Sequence, residues 1–369
     1  MTDPVVLVDQ PHPDPLPEPR PPSRPRRWRL PAAVVALVVA LVAVALVATR
    51  GGGGESVATS VPAKLPALGP ATDVYNGDLG DPFVLPVDTG GPGGKVSGYV
   101  AFGTGDWPAR IPTARSTDLT SWQRGPDALP DLPSWSPPDP KNSLSWAPAA
   151  LQVAHGFVLY VSLPDAASGQ ECIAAATSTA AEGPYTVVGD GPLLCQHDQG
   201  GSIDPAIVRD RSGTLHLLWK NDGNALNVPV SLWEQQLTPD GQGLRGVAHR
   251  LLTASEQWQG GIVEEPAVVP ASGGGWWLFY SGNYFDRPEY ATGLAWCPTL
   301  DGPCTEARQE PFFATAQLNQ AAQFAPGGME TFRDASGDLW AVFDTWNRPT
   351  RNGRFYCCRS VQMARILST

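Results

Sequence analysis

The sequence predicts an all-β fold, a five-bladed β-propeller preceded by a single N-terminal transmembrane helix. Helical periodicity is nearly absent after the first apolar run. Short β-branched and aromatic runs broken by Gly, Pro and Asp replace it. One strand–turn–strand unit then returns five times at a spacing of roughly 60 residues, the size of a propeller blade.

The chain opens on segments that cannot belong to a core. Residues 1–29 are crowded with prolines and carry Arg20, Arg24, Arg26, Arg27 and Arg29, a composition expected to stay disordered. Residues 30–49 are an uncharged Ala/Val/Leu run, long enough at about 19 residues to span a bilayer as a helix. Ala43 and Ala45 fall inside the run and no lipobox cysteine follows, so a retained signal anchor is the expectation and a cleaved signal peptide, giving a secreted protein, the alternative. Arginines cluster before the span, which places the tail in the cytoplasm and the C-terminal domain outside the cell membrane. Residues 50–71, rich in Gly, Ser, Ala and Pro, read as a flexible linker to a domain at 72–369.

The formal net charge of −11 includes the basic tail, so the domain itself is more acidic still. Such a surface repels nucleic acid and other polyanions, and favours a neutral partner. The six cysteines all lie in the domain and match no zinc spacing. Disulfides Cys172–Cys195 and Cys297–Cys304 are expected, with Cys357 and Cys358 unassigned.

The repeats run DPFVLPV (Asp81 to Val87) into SGYVAFG, WAPAALQV (Trp146 to Val153) into GFVLYVS, DPAIVRDRSGTLHLLWK (Asp204 to Lys220), EEPAVVPASGGGWWLFYSG (Glu264 to Gly282), and GGMETFRDASGDLWAVFDTW (Gly327 to Trp346), the last without the proline. A third strand and a polar turn follow the hairpins, as in ARSTDLTSW (Ala114 to Trp122).

First strands of propeller blades line the central channel, so equivalent starts converge on one pocket. Asp81 precedes Pro82, Asp204 precedes Pro205, and Glu264 stands two before Pro266, as Trp146 does before Pro148. A lone Asp before Pro is an ordinary turn signal. Three carboxylates around one axis repel one another and raise at least one pKa, which suits acid–base chemistry better than folding. Glycoside hydrolysis needs such a set: one carboxyl protonates the leaving oxygen and another activates water or attacks carbon. Glu265 competes with Glu264, and strand alternation predicts that only one of them faces the channel.

These motifs together resemble glycoside hydrolase family 43, five-bladed enzymes acting on arabinofuranosides and xylosides with inversion. The resemblance rests on the Asp-Pro at Asp81, STDLTSW (Ser116 to Trp122), WAP at Trp146, the Asp-Pro at Asp204, and VEEP (Val263 to Pro266) where the family has Glu-Gly-Pro or Glu-Ala-Pro. It implies Asp81 as general base, Glu264 as general acid, and Asp204 as the residue that tunes and orients the acid. The family register, with the acid two before the proline, selects Glu264 over Glu265. It implies Trp146 as a stacking residue, and Asn283, Tyr284 and Tyr290 of SGNYFDRPEY (Ser281 to Tyr290) as substrate contacts. Arg359 is a candidate partner for a channel carboxylate or for substrate.

One departure stands out. Many members open the last repeat with Gly-His near a central metal or water network, whereas this chain reads Gly327-Gly328-Met329, which argues against a histidine-linked calcium. No cofactor is required by carboxylate catalysis. The expected partner is a neutral arabinofuranosyl- or xylosyl-containing polysaccharide or oligosaccharide. Fructan-type enzymes would open on an Asn-Asp-Pro-Asn motif instead of Leu79-Gly80-Asp81-Pro82, and Ser116 to Trp122 lacks the sialidase Asp-box glycine. A galactofuranosidase, or a tethered propeller that binds glycans without cleaving them, remains the alternative.

Overall fold

A computed structural model describes residues 60–75, 77–105, 109–137, 145–318, 320, 322–348, 350–355 and 358–369. The expected tail, the expected span and the linker as far as residue 59 lie outside the described residues. No helix among the described residues is long and apolar enough to cross a membrane.

Two short strands, β1 (Ala67–Leu68) and β2 (Thr72–Tyr75), precede five antiparallel sheets. Blade one is β3 (Phe83–Thr89), β4 (Lys95–Phe102), β5 (Thr113–Ser116) and β6 (Gln123–Arg124). Blade two is β7 (Trp146–Val153), β8 (Gly156–Pro164), β9 (Glu171–Ser178) and β10 (Thr186–Val187). Blade three is β11 (Ser202–Arg209), β12 (Leu215–Asn221), β13 (Ser231–Leu237) and β14 (Leu244–Thr253). Blade four is β15 (Val263–Pro270), β16 (Trp276–Gly282), β17 (Ala291–Cys297) and β18 (Thr305–Glu306). Blade five is β19 (Phe324–Arg333), β20 (Leu339–Trp346) and β21 (Arg359–Ser368), completed by β1 and β2, which both pair with β21.

The first strands touch in a closed ring, β3 to β7 to β11 to β15 to β19 and back to β3, which is the five-bladed propeller. Each sheet is covered on both faces by its neighbours, so its second strand reads as an apolar run without alternation. All seven residues of β12 and of β16 are buried. The core is accordingly five wedges, one per interface. Phe102 packs with Leu159 and Val161, Tyr160 with Leu217, Leu218 with Leu278, Phe279 with Phe343, and Ala101 with Val342. No single strand buries its apolar surface without a neighbouring blade.

Composition misplaced the start of the domain. Residues 60–71 were expected in the linker, yet Val61, Leu65, Leu68 and Ala71 pack against the wedge between blades four and five, and β1 lies in the sheet. Pro and Ala masked the signal, because a two-residue strand leaves no periodicity. Disulfides Cys172–Cys195 and Cys297–Cys304 are present as expected. The former ties β9 to the loop before β11; the latter closes the β17–β18 connection. Cys358 is also disulfide-bonded, while Cys357 lies outside the described residues.

Candidate active site

Five residues preceding prolines share one unusual backbone state. Asp81, Ala147, Asp204, Glu265 and Ala325 have φ of 50°, 44°, 56°, 50° and 51°. Non-glycine residues rarely adopt this left-handed region, and a following proline disfavours it further. In blades two to five the pair sits where the register between first and second strands slips: between Trp146 and Ala149, Ile203 and Ala206, Glu264 and Ala267, and Phe324 and Gly327. This is a β-bulge repeated around the axis, a device that re-aims side chains at barrel rims.

The bulge corrects two sequence expectations. The residue in phase with Asp81 and Asp204 is Glu265, not Glu264, and the fifth repeat keeps its proline as Ala325-Pro326, upstream of the hairpin. Alternation also fails at the bulge, so Glu264 and Glu265 both line the same cavity instead of facing opposite ways.

That cavity, of about 490 Å³, is walled by Asp81, Thr104, Trp146, Ile203, Asp204, Lys220, Asp222, Asn224, Ile262, Glu264, Glu265, Tyr284, Phe285, Tyr290 and Arg359. Small-molecule sites typically occupy roughly 300–1,000 Å³. Beneath it, Asp81, Asp204, Glu265, Gly328 and Glu330 enclose a narrow space of about 20 Å³. Glu265 reaches both spaces and Glu264 only the upper one.

Each acid has a distinct environment. Asp81 accepts hydrogen bonds from the Arg359 guanidinium on both carboxylate oxygens and from the Thr104 hydroxyl. Burial pushes its pKa up, but the Arg359 charge and hydrogen bonds from Glu265, Thr104 and Arg359 outweigh that and hold it below the usual carboxylate range. Arg359 also meets Asp344 Oδ2 at 3.1 Å, which in turn accepts the Asp81 N–H at 2.7 Å. Its guanidinium lies over the rings of Phe285 and Trp346. Gly80 makes room for it: a Cβ there would fall 1.7 Å from Arg359 Cζ.

Glu264 accepts from Lys220 Nζ at 2.9 Å on Oε2 and meets the Tyr290 hydroxyl at 2.8 Å on Oε1. Lys220 is buried and lies 3.7 Å from Asp222 as well. Burial would lower its pKa, but Glu264, Asp204 and Asp222 raise it, so the ammonium stays charged. Asp204, 7% exposed, is pushed well above the carboxylate range by burial and by the charges of Glu264, Asp81 and Asp222, against the opposing pull of Lys220. Three carboxyls thus share one ammonium, and full ionisation would leave uncompensated negative charge in an enclosed site. Glu265 is likewise raised well above its usual value by burial, then by Asp81, Asp204 and Glu264.

Of the residues singled out in the sequence, Asp81, Asp204, Glu264, Trp146, Tyr284, Tyr290 and Arg359 meet at this cavity. Asn283 does not line it: with φ of 76°, it spends its amide on Trp258 O and on the Tyr284 N–H, as a turn residue does. Sequence reasoning overlooked Lys220, Asp222, Thr104 and Phe285. Lys220 had a signal, a lone cation ending the apolar run LHLLWK with Asp222 two residues on.

A histidine-linked metal does not fit the floor. Gly328 offers no ligand, and a Cβ there would meet Asp81 Cα at 3.2 Å and both Glu265 carboxyl oxygens at 3.3 Å. Among the described residues, the clusters able to hold an ion are Cys172, Cys195 and His197, whose cysteines are already bonded to each other, and Glu234, His249 and Asp301; both lie away from the cavity.

Fold and cavity together define a propeller with an acidic axial site fed by several blades. The family model of glycosyl hydrolases family 43 matches residues 74–367, and the chain belongs to that family of glycoside hydrolases. No curated protein matches the sequence. Among solved structures, a thermostable family-43 glycoside hydrolase is similar with a TM-score of 0.67 at 23% identity, covering 80% of this chain and 92% of that one. The endo-arabinase from Bacteroides thetaiotaomicron gives 0.63 at 18% identity, covering 80% and 97%. The alpha-L-arabinofuranosidase from Lactobacillus brevis gives 0.59 at 17%, covering 78% and 90%. At these identities the likeness is one of fold.

Proposed function

We propose that the protein hydrolyses glycosidic bonds in a neutral arabinofuranosyl- or xylosyl-containing polysaccharide, with inversion, outside a cell membrane to which residues 30–49 tether it. The observation carrying this reading is that Asp81 and Glu264 enter one cavity from different blades, Asp81 beside Arg359 and Glu264 beside the buried Lys220. Asp81, held ionised, takes a proton from the attacking water. Glu264 gives a proton to the leaving oxygen. Asp204, close to both Lys220 and Glu264, sets how many protons that group of acids retains. Trp146 and the half-exposed Tyr284 and Phe285 supply apolar faces for sugar rings at the mouth. None of these steps calls for a metal. The acidic domain favours an uncharged polymer, and two of the similar structures carry arabinan- or arabinofuranoside-directed names.

Asp81→Asn and Glu264→Gln separate the roles. Each is expected to lower turnover of an arabinan or xylan oligosaccharide by roughly 10²–10⁴-fold while the domain remains folded. On a 4-nitrophenyl glycoside, whose leaving group needs no proton, Glu264→Gln is expected to lose much less and Asp81→Asn just as much. Undiminished activity in both variants would refute the reading.

A further inference from the structure

Inverting hydrolysis leaves its two carboxyls out of balance. After each cycle the base holds one proton more than at the start and the acid one fewer. Both must be reset before the next turnover, and the cavity contains a connected path between them.

The Tyr290 hydroxyl lies 2.8 Å from Glu264 Oε1 and 2.8 Å from Glu265 Oε2. A hydroxyl has one proton to donate. Two carboxyl oxygens at that distance are therefore satisfied together only if one of the two acids is itself protonated and donates to the tyrosine. The two arrangements, proton on Glu264 or proton on Glu265, differ by one concerted hop through Tyr290. Glu265 and Asp81 line the same narrow space of about 20 Å³ and both close on Gly328, which makes them neighbours, and Ser281 Oγ donates to Glu265 Oε2 at 3.1 Å. Tyr290 is 3% exposed, so water does not compete freely for its hydroxyl.

The last blade is shaped around this path. A Cβ on Gly327 would stand 2.0 Å from Tyr290 Cε1, and one on Gly328 would press on the Glu265 carboxyl. The positive φ at Glu265 turns that side chain toward the axis.

We propose that Glu265 and Tyr290 form a proton relay that returns to Glu264 the proton Asp81 takes from water. Glu265 passes its proton through Tyr290 to Glu264 Oε1, the tyrosine giving up one proton as it accepts another, and Glu265 is refilled from Asp81. Over the cycle, water supplies the proton that leaves on the released sugar, and neither Glu265 nor Tyr290 changes charge. Both are positioning and relay groups that need not touch substrate. Burial and neighbouring negative charge favour the protonated form of Glu265, which suits a group that holds a proton between cycles.

The inference rests on the assignment of Asp81 as base and Glu264 as acid. Its test is steady-state kinetics of the full chain with Tyr290→Phe, which keeps the ring, and Glu265→Gln, which keeps the hydrogen-bonding shape but cannot carry the proton. The probe is whichever arabinan or xylan oligosaccharide the wild type cleaves. Reset follows bond cleavage, so both variants are expected to lose roughly tenfold in kcat while kcat/KM stays within about twofold, with kcat restored as formate or imidazole buffer is raised. Equal loss of kcat and kcat/KM without buffer rescue would mean a merely structural role, and unchanged kcat in a folded variant would mean no relay; either overturns the proposal. If Asp81→Asn and Glu264→Gln are inactive while the relay variants behave like wild type, the relay alone has failed. If those two remain active, the underlying assignment has.

Discussion

At the residue scale, what distinguishes the acids is their cation rather than their depth. Asp81 is enclosed, yet Arg359 keeps it ionised; Asp204 and Glu265 are enclosed without a dedicated cation and are pushed upward. Arg359→Gln removes the main downward influence on Asp81 and leaves burial to dominate. The Asp81 pKa then rises, and if Asp81 is the base as proposed, the acid limb of the kcat/KM profile moves upward in pH by at least about one unit. An acid limb that stays in place would show that Arg359 does not set the charge of the base. Asp81 and Asp204 were legible because an Asp-Pro step is visible in a string, whereas Arg359 stands among Arg348, Arg351, Arg354 and Arg365 and only its place late in the last repeat suggested a carboxylate partner. Glu265 was not, because alternation was assumed across a strand that the bulge interrupts. Counting one residue back from every proline, rather than two, would have found it.

At the element scale, the ring is held shut by the pairing of β1 and β2 with β21, which joins the start of the domain to its end. Deleting residues through Tyr75 strips these pairings, with the packing of Val61, Leu65, Leu68, Ala71 and Val74 against the neighbouring wedges. Loss of that apolar contact is expected to destabilise the domain by roughly 3–6 kcal/mol, seen as a lower urea midpoint. A truncated domain as stable as the parent would mean that β1 and β2 are ornaments. The blades themselves were readable, since an apolar strand followed by a Gly or Asp turn has few other meanings. Closure was not, because β1 spans two residues and β2 begins with exposed Thr72 and Asp73.

At the scale of the whole molecule, five wedges leave an axial channel, each blade turns one left-handed residue before a proline toward it, and three of those residues, Asp81, Asp204 and Glu265, are acids. Gathering acids there has a cost in stability that depends on pH. Glu330, enclosed under the cavity with one long hydrogen bond from Thr331 N at 3.4 Å, is pushed by burial up to about 8. Between its ordinary value of 4.5 and 8 the unfolded chain has released this proton while the folded chain keeps it, so folding stability falls as pH rises through that window. Glu330→Gln removes the penalty and is expected to stabilise the domain at pH 8 relative to pH 5; an equal effect at both would contradict it. Asp81 and Glu264 are proposed to act as base and acid in a single inverting displacement. Proton NMR during cleavage of an arabinan or xylan oligosaccharide tests it most directly. The first anomer formed is expected to have the configuration opposite to that of the bond cleaved, reaching the equilibrium mixture only by mutarotation, whereas first appearance of the retained anomer would contradict the claim.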